Sequence, residues 1–231
     1  MRTVFTIALI FLSFSPAAAQ QTEIPDFATA RDKYFWAKLY AAGGATIYCN
    51  HIFPSERVFQ SHGGLRVSIS GEELSVEHIY SAEWIAEAHG CSDRDHCDVP
   101  AYHFAEADLH NLWPALKRIY ASRSDLPVGE LPGESSRRFT EICEDFERSS
   151  GPDAVVEPQP SVKGDVARSL LYMMVFYDLP VHGSLPVLLS WHKQDPPDDA
   201  ERWRNTMIEE LQGTRNPFID YPMIVRLVDL R

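Results

Sequence analysis

Four cysteines behind an export leader constrain this chain more than any other feature of its sequence. Arg2 opens the leader, Val4 to Phe14 form a mostly apolar run, and Ala17, Ala18 and Ala19 offer a small-residue cleavage site before Gln20. The apolar run is too short to span a bilayer comfortably and no stop-transfer pattern follows, so an uncleaved anchor is disfavoured. Residues 1–19 are therefore expected to be a signal peptide, and 20–231 one exported domain with no membrane attachment after cleavage. Cys49, Cys91, Cys97 and Cys143 all fall in that mature part. An even number of cysteines in an oxidising compartment predicts two disulfides. Cys91 and Cys97 are close enough to staple a loop, which would leave Cys49 with Cys143 to close a long one, but spacing alone leaves all three pairings open. A zinc site shared with His89, His96 or His103 competes poorly, because no Cys-x-x-Cys pair is present.

A chain of 231 residues with 45% hydrophobic and 23% charged residues can bury one full core, and it is neither disordered nor collagen-like. Its formal net charge is −12, and becomes −13 once the leader with its single charge, Arg2, is removed. Proteins that hold nucleic acid by bulk charge need a basic surface, so any such function here must rest on a local site.

No internal repeat is visible. Phe27, Phe35, Leu39 and Tyr40 recur at roughly helical spacing over Asp26 to Ala42, and Gly43-Gly44 ends the run. Strands are predicted over 46–53, 65–70 and 75–80, followed by a short helix over 81–88 and the cysteine loop over 90–100. A helix is predicted over 103–122, although Pro114 should sit in a first turn or mark a kink. Residues 126–160 should be mostly loop, with one strand or helix turn at 139–146. Helices follow over 162–179, with Val166, Leu170, Met173, Met174 and Tyr177 on one face, and over 198–212. The second should open on a capping box of Asp198 and Glu201, bury Trp203, Met207 and Leu211, and stop at Gly213. The expected fold is one α+β domain, mostly helical, around a small irregular sheet.

Chemistry concentrates in two places: Glu77-His78 at the end of a predicted strand, and Asp108-Leu109-His110-Asn111-Leu112-Trp113-Pro114 some thirty residues later. Read alone, an acid and an imidazole on a strand are two polar residues pointing to opposite sides. With their surroundings they resemble the endonuclease I family of secreted nucleases, part of the ββα-metal (His-Me finger) group. The similarity covers most of the mature chain. Tyr48-Cys49 looks like an early family segment, Val76-Glu77-His78-Ile79 like its Glu-His strand, and Asp108 to Pro114 like its Asp-x-His/Tyr-Asn-Leu-x-Pro signature. Gly164 to Arg168 with Tyr172-Met173, Trp191 to Pro196, and Gln212 to Asp220 resemble its later segments.

The resemblance implies a ββα-metal core and a metal-dependent, sequence-nonspecific endonuclease acting on DNA, with RNA a second candidate, in the periplasm or outside the cell. It makes His78 the general base that takes a proton from water, Glu77 the carboxylate on one divalent cation, usually Mg²⁺, and Arg94 the guanidinium that holds the cleaved phosphate. Arg123, Arg168 and Arg215 could add local positive potential, with salt bridges the default for each. One departure stands out. The family has a second metal-binding asparagine nine residues after the Asn-Leu-x-Pro asparagine, followed by Arg-x-Asn; the same count from Asn111 reaches Tyr120, trailed by Arg123 and Asp125. A neutral phenol is a poor Mg²⁺ ligand. Three outcomes are open: Glu77 binds with water or Asn111 filling in, Asp125 contributes, or the site is lost. Retained but altered metal binding is expected. The opposing reading is a non-enzymatic, disulfide-bonded relative that binds a partner or polyanion without cutting. Oligomeric state is not legible.

Overall fold

The computed structural model of the chain describes residues 20–59, 69–133 and 139–228. The leader and most of the strand expected over 65–70 lie outside the described residues. Asp26 caps the first helix by accepting from Thr29 N (2.7 Å). That helix, α1, begins as Phe27–Thr29 and continues in π-type winding through Ala30–Leu39, with Phe35 and Leu39 buried as the pattern predicted. The expected strand over 46–53 is absent. Gly43–Ala45 (β1) and Ile52–Pro54 (β2) form a hairpin instead, and the chain between them turns tightly through Tyr48 and Asn50, whose φ of 74° and 50° cannot continue an extended strand. Gly43, at φ +96°, is required there, since a Cβ would lie 2.3 Å from Phe53 O.

The element that carries Glu77 and His78 is β3 (Leu74–His78), followed by α2 (Ala82–Ala88), which Ser81 caps by accepting from Glu83 N. The helix expected over 103–122 is three elements: α3 (Pro100–Glu106), β4 (Leu112–Leu116) and α4 (Lys117–Arg123). Pro114 explains the break. It has no N–H to continue a helix, but in β4 it faces Val76 across an antiparallel ladder and its carbonyl accepts from Ile47 N (2.7 Å). Glu77 is thereby opposite Trp113 and His78 opposite Leu112.

Residues 139–157 are turns plus a two-residue ladder of β5 (Glu147–Arg148) and β6 (Val156–Glu157). The small sheet is therefore three separate two-stranded ladders among the described residues. The α+β reading holds. Beyond lie α5 (Lys163–Phe176), α6 (Leu185–Gln194), α7 (Asp199–Gln212), α8 (Pro217–Asp220) and a final turn, Pro222–Arg226. No helix among the described residues is long and apolar enough to cross a membrane.

α5 is buried on nearly every side, its predicted stripe included. α7 contradicts its predicted stripe. Trp203 is 53% exposed, Met207 and Leu211 are only half-buried, and the buried face is Glu201, Arg204, Asn205, Ile208 and Gln212. Polar groups face inward there because they have partners. Arg204 donates to the Leu109 and Leu112 carbonyls and lies 3.8 Å over the Trp113 ring, and Asn205 bonds Asn216 in both directions. Asp198 caps α7 as expected, but the reciprocal half of the capping box is replaced, since the Glu201 carboxylate pairs with buried Arg168. Gly213 ends the helix at φ +79°.

The segment before β4 is locked by Asp108. It accepts from His110 N, Gln212 Nε2, Tyr172 OH and Tyr177 OH, while Gln212 Oε1 accepts from Leu109 N. The long Gln212–Asp220 motif thus serves the scaffold: it fixes the turn that feeds β4. The disulfides pair Cys49 with Cys143 and Cys91 with Cys97, each with a Cα–Cα distance of 5.2 Å, so no thiol is left for zinc.

Candidate active site

A cleft of about 220 Å³ opens where β3 ends, lined by Glu77, His78, Ser81, Arg94, Tyr120, Arg123 and Asp125 among others. Four elements build it: β3, the N-terminus of α2, the disulfide-closed loop, and α4 with the turn after it.

His78 is buried against the Phe27 ring, with centroids 4.6 Å apart, and its Nε2 is 3.1 Å from the Glu106 carbonyl oxygen. A carbonyl only accepts, so this contact holds the proton on Nε2 and leaves the lone pair on Nδ1. Burial, reinforced by the Arg94 charge, pushes the imidazole pKa down to about 3. The ring is therefore neutral at neutral pH, as a proton acceptor must be.

Glu77 is 1% exposed. Its Oε1 accepts from Tyr48 OH (2.9 Å) and lies 3.2 Å from Arg123 Nη1, whereas Oε2 is buried with no hydrogen-bond partner. Burial raises its pKa to about 7 against the opposing pull of Arg123 and Tyr48. Arg123 is itself fixed by donation to the carbonyls of His78 (3.2 Å) and Ile79 (2.8 Å) and by the Trp84 face, 5.1 Å away. It belongs to the cleft wall and is not free to receive a phosphate.

Arg94 is partly exposed, and its Nη2 donates to Glu106 Oε1 (2.7 Å) while its backbone N–H donates to Glu83 (3.1 Å). It stands inside the Cys91–Cys97 loop, in a short turn capped by Asp93. The two groups that the sequence singled out most sharply, His78 and Arg94, are thus both held by one residue, Glu106.

Asn111 is not among the residues lining this cleft. Its side-chain oxygen accepts from Tyr80 N (2.7 Å) and its amide donates to Tyr80 O (2.9 Å), so it clamps the chain leaving β3. Tyr120 does reach the cleft and is 38% exposed. Among the described residues no group of three or more His, Cys, Asp or Glu forms a cation cage. What is present is an orphaned buried carboxylate oxygen on Glu77 with the Asp125 carboxylate in the same cleft, a hard-oxygen set suited to an ion that keeps several waters, as Mg²⁺ does.

A family model described as Endonuclease I matches residues 26–223. The chain belongs to the Endonuclease I family. Among its relatives, an extracellular ribonuclease of Bacillus subtilis (strain 168) is 48% identical over 134 residues, covering 50% of this chain and 44% of the relative. An extracellular deoxyribonuclease of Aeromonas hydrophila is 28% identical over 232 residues, covering 95% of this chain and 97% of the relative. A periplasmic deoxyribonuclease of the same organism is 27% identical, with 94% of each chain covered. The chain spans less than half the length of the Bacillus ribonuclease it matches.

Within this Endonuclease I chain, the structure brings together Glu77, His78, Arg94 and Tyr120 and leaves Asn111 as a backbone clamp. Arg168 and Arg215 are away from the cleft, paired with Glu201 and with Glu209 and Asp220. Sequence reasoning missed Glu106, an acid on a short helix with no distinguishing pattern, and Phe27, which read as core. Tyr48 was noticed only as part of a family segment.

Proposed function

We propose that this protein is an exported, divalent-cation-dependent endonuclease that hydrolyses phosphodiester bonds in DNA, and in RNA as a second substrate, without base specificity. The observation that carries this reading is His78: a neutral imidazole fixed as the Nε2–H tautomer, beside a buried carboxylate and an arginine in one cleft. Membership of the Endonuclease I family supports it, as do relatives named for both deoxyribonuclease and ribonuclease activity and for extracellular and periplasmic location.

In the reaction, Nδ1 of His78 accepts a proton from a water molecule as its oxygen bonds to phosphorus and the bond to the 3′ oxygen breaks. The Glu106 carbonyl stabilises the resulting imidazolium through the Nε2–H. Arg94 binds a non-bridging phosphate oxygen through N–H groups not taken by Glu106. Glu77 would hold the cation, which when bound supplies positive charge against that developing on the phosphate and the leaving oxygen. Contacts to phosphate carry no sequence information, which fits a nonspecific enzyme.

The test is nicking of plasmid DNA, and cleavage of a single-stranded RNA, by the oxidised mature protein with Mg²⁺. His78→Ala should lose about 10²–10⁴-fold in rate. Equal rates for the two proteins would remove His78 from the mechanism.

A further inference from the structure

The cation ligand that the Endonuclease I pattern puts at position 120 is a tyrosine here, and the cleft contains a replacement. Glu77 has one carboxylate oxygen satisfied twice, by Tyr48 and Arg123, and the other buried with no partner. Leaving a buried carboxylate oxygen unpaired is costly, which is what a ligand atom awaiting its cation looks like. Tyr120 offers only a neutral phenol, a poor match for a hard cation. Asp125 stands where the family's Arg-x-Asn pattern ends in asparagine. α4 finishes at Arg123, Ser124 adopts φ 50° with its N–H on Tyr120 O, and this reversal puts Asp125 among the cleft residues. There Ser81 Oγ, the cap of α2, donates to Asp125 Oδ1, and the Asp125 charge is close enough to act on both Glu77 and Arg123.

We propose that the divalent cation is held between Glu77 Oε2 and Asp125, with Asp125 taking over the position-120 ligand and Ser81 aiming its carboxylate. The ligand set then carries two negative charges where the family pattern carries one, and the remaining positions are filled by water and phosphate oxygen. The ion pair of Glu77 with Arg123 offsets part of that charge when no cation is bound. This proposal rests on the cation-dependent reading above, and concerns only which residues of this chain ligate.

Mn²⁺ binding to the oxidised mature protein, followed by electron paramagnetic resonance of free Mn²⁺ and by calorimetry without nucleic acid, tests it independently of turnover. Asp125→Ala and Glu77→Gln should each weaken binding by about tenfold or more, on the scale of losing a carboxylate from a two-carboxylate site. Tyr120→Phe should change it by less than about twofold. Asp125→Asn, which keeps the shape and the Ser81 contact, should fall between, and it serves where Asp125→Ala does not fold by circular dichroism. Wild-type affinity in both Asp125 variants with binding lost in Glu77→Gln would overturn the proposal and leave the cation-dependent reading standing. Loss of binding in Tyr120→Phe would overturn it in favour of the phenol. No saturable binding by the wild type would overturn both.

Discussion

Glu106 shows how one residue can hold two neighbours through separate atoms, one of the backbone and one of the side chain. Its carbonyl sets the His78 tautomer, and its carboxylate, 9% exposed, anchors Arg94, which is 34% exposed. Glu106→Gln leaves the carbonyl and the shape in place, so His78 should be unaffected while Arg94 loses a charged partner. Steady-state kinetics on a short duplex should show KM raised by about 3–10-fold with kcat changed by less than about twofold. A fall in kcat at constant KM would mean that the carboxylate acts on chemistry and not on phosphate capture. At this scale the sequence was partly legible. Glu77, His78 and Arg94 stood out through the resemblance to the Endonuclease I family, since read alone they are ordinary polar residues. Glu106 was not legible, since half its role belongs to a backbone carbonyl that every residue has. Asn111 misled for the opposite reason: an amide suits a cation, but it suits a backbone clamp equally well.

The elements divide between those declared by their own residues and those decided by partners. Asp198 announced one helix start and Gly213 its stop, because caps act through neighbouring atoms, whereas the Ser81 cap of α2 is seen only in the structure. The strand β4 was read as helix because only its ladder with β3 makes Pro114 acceptable. The buried face of α7 was misassigned because Arg204, Asn205 and Gln212 are stable inside only where Leu109, Leu112, Asn216 and Asp108 meet them. The disulfides also separate by task. Cys49–Cys143 closes a separation of 94 residues and ties the turn bearing Tyr48 to the irregular segment, whereas Cys91–Cys97 closes only 6 residues around Arg94. On chain-entropy grounds the first should contribute about 4–5 kcal/mol and the second about 2 kcal/mol. Thermal unfolding of the two double alanine variants should therefore show the larger loss for Cys49/Cys143. Nicking at a temperature where both are folded should be reduced chiefly in the Cys91/Cys97 variant. The reverse order of the two effects would contradict this division of labour.

Over the whole molecule the net charge is −12, the buried arginines are spent internally, and Arg94 alone among those named is left partly exposed in the cleft, where the proposed mechanism puts a phosphate oxygen. Burial has a second molecule-wide consequence, in the acid range. His110 is fully enclosed between Tyr172 and the Thr214 carbonyl, and burial, with help from Arg204 and Arg215, holds its pKa down to about 3. The unfolded chain would protonate it near 6.5. Between those values the unfolded state binds the extra proton, so stability falls as pH falls, by up to about 1.4 kcal/mol per pH unit for this one group. The opposite sign applies to Glu77, whose raised pKa makes the folded state the better proton acceptor between about 4.5 and 7. His78, also held down to about 3, acts in the same direction as His110, so a wild-type curve mixes all three groups and a variant difference isolates His110. His110→Gln should be destabilised at pH 7 through lost packing, since its ring contacts Tyr172 at 4.5 Å. Its deficit relative to wild type should then shrink on acidification, because the variant no longer carries the histidine penalty. Urea unfolding at pH 7, 6, 5 and 4 measures this directly. A deficit that stays constant across the series would mean that His110 takes up its proton as readily in the fold as in the unfolded chain.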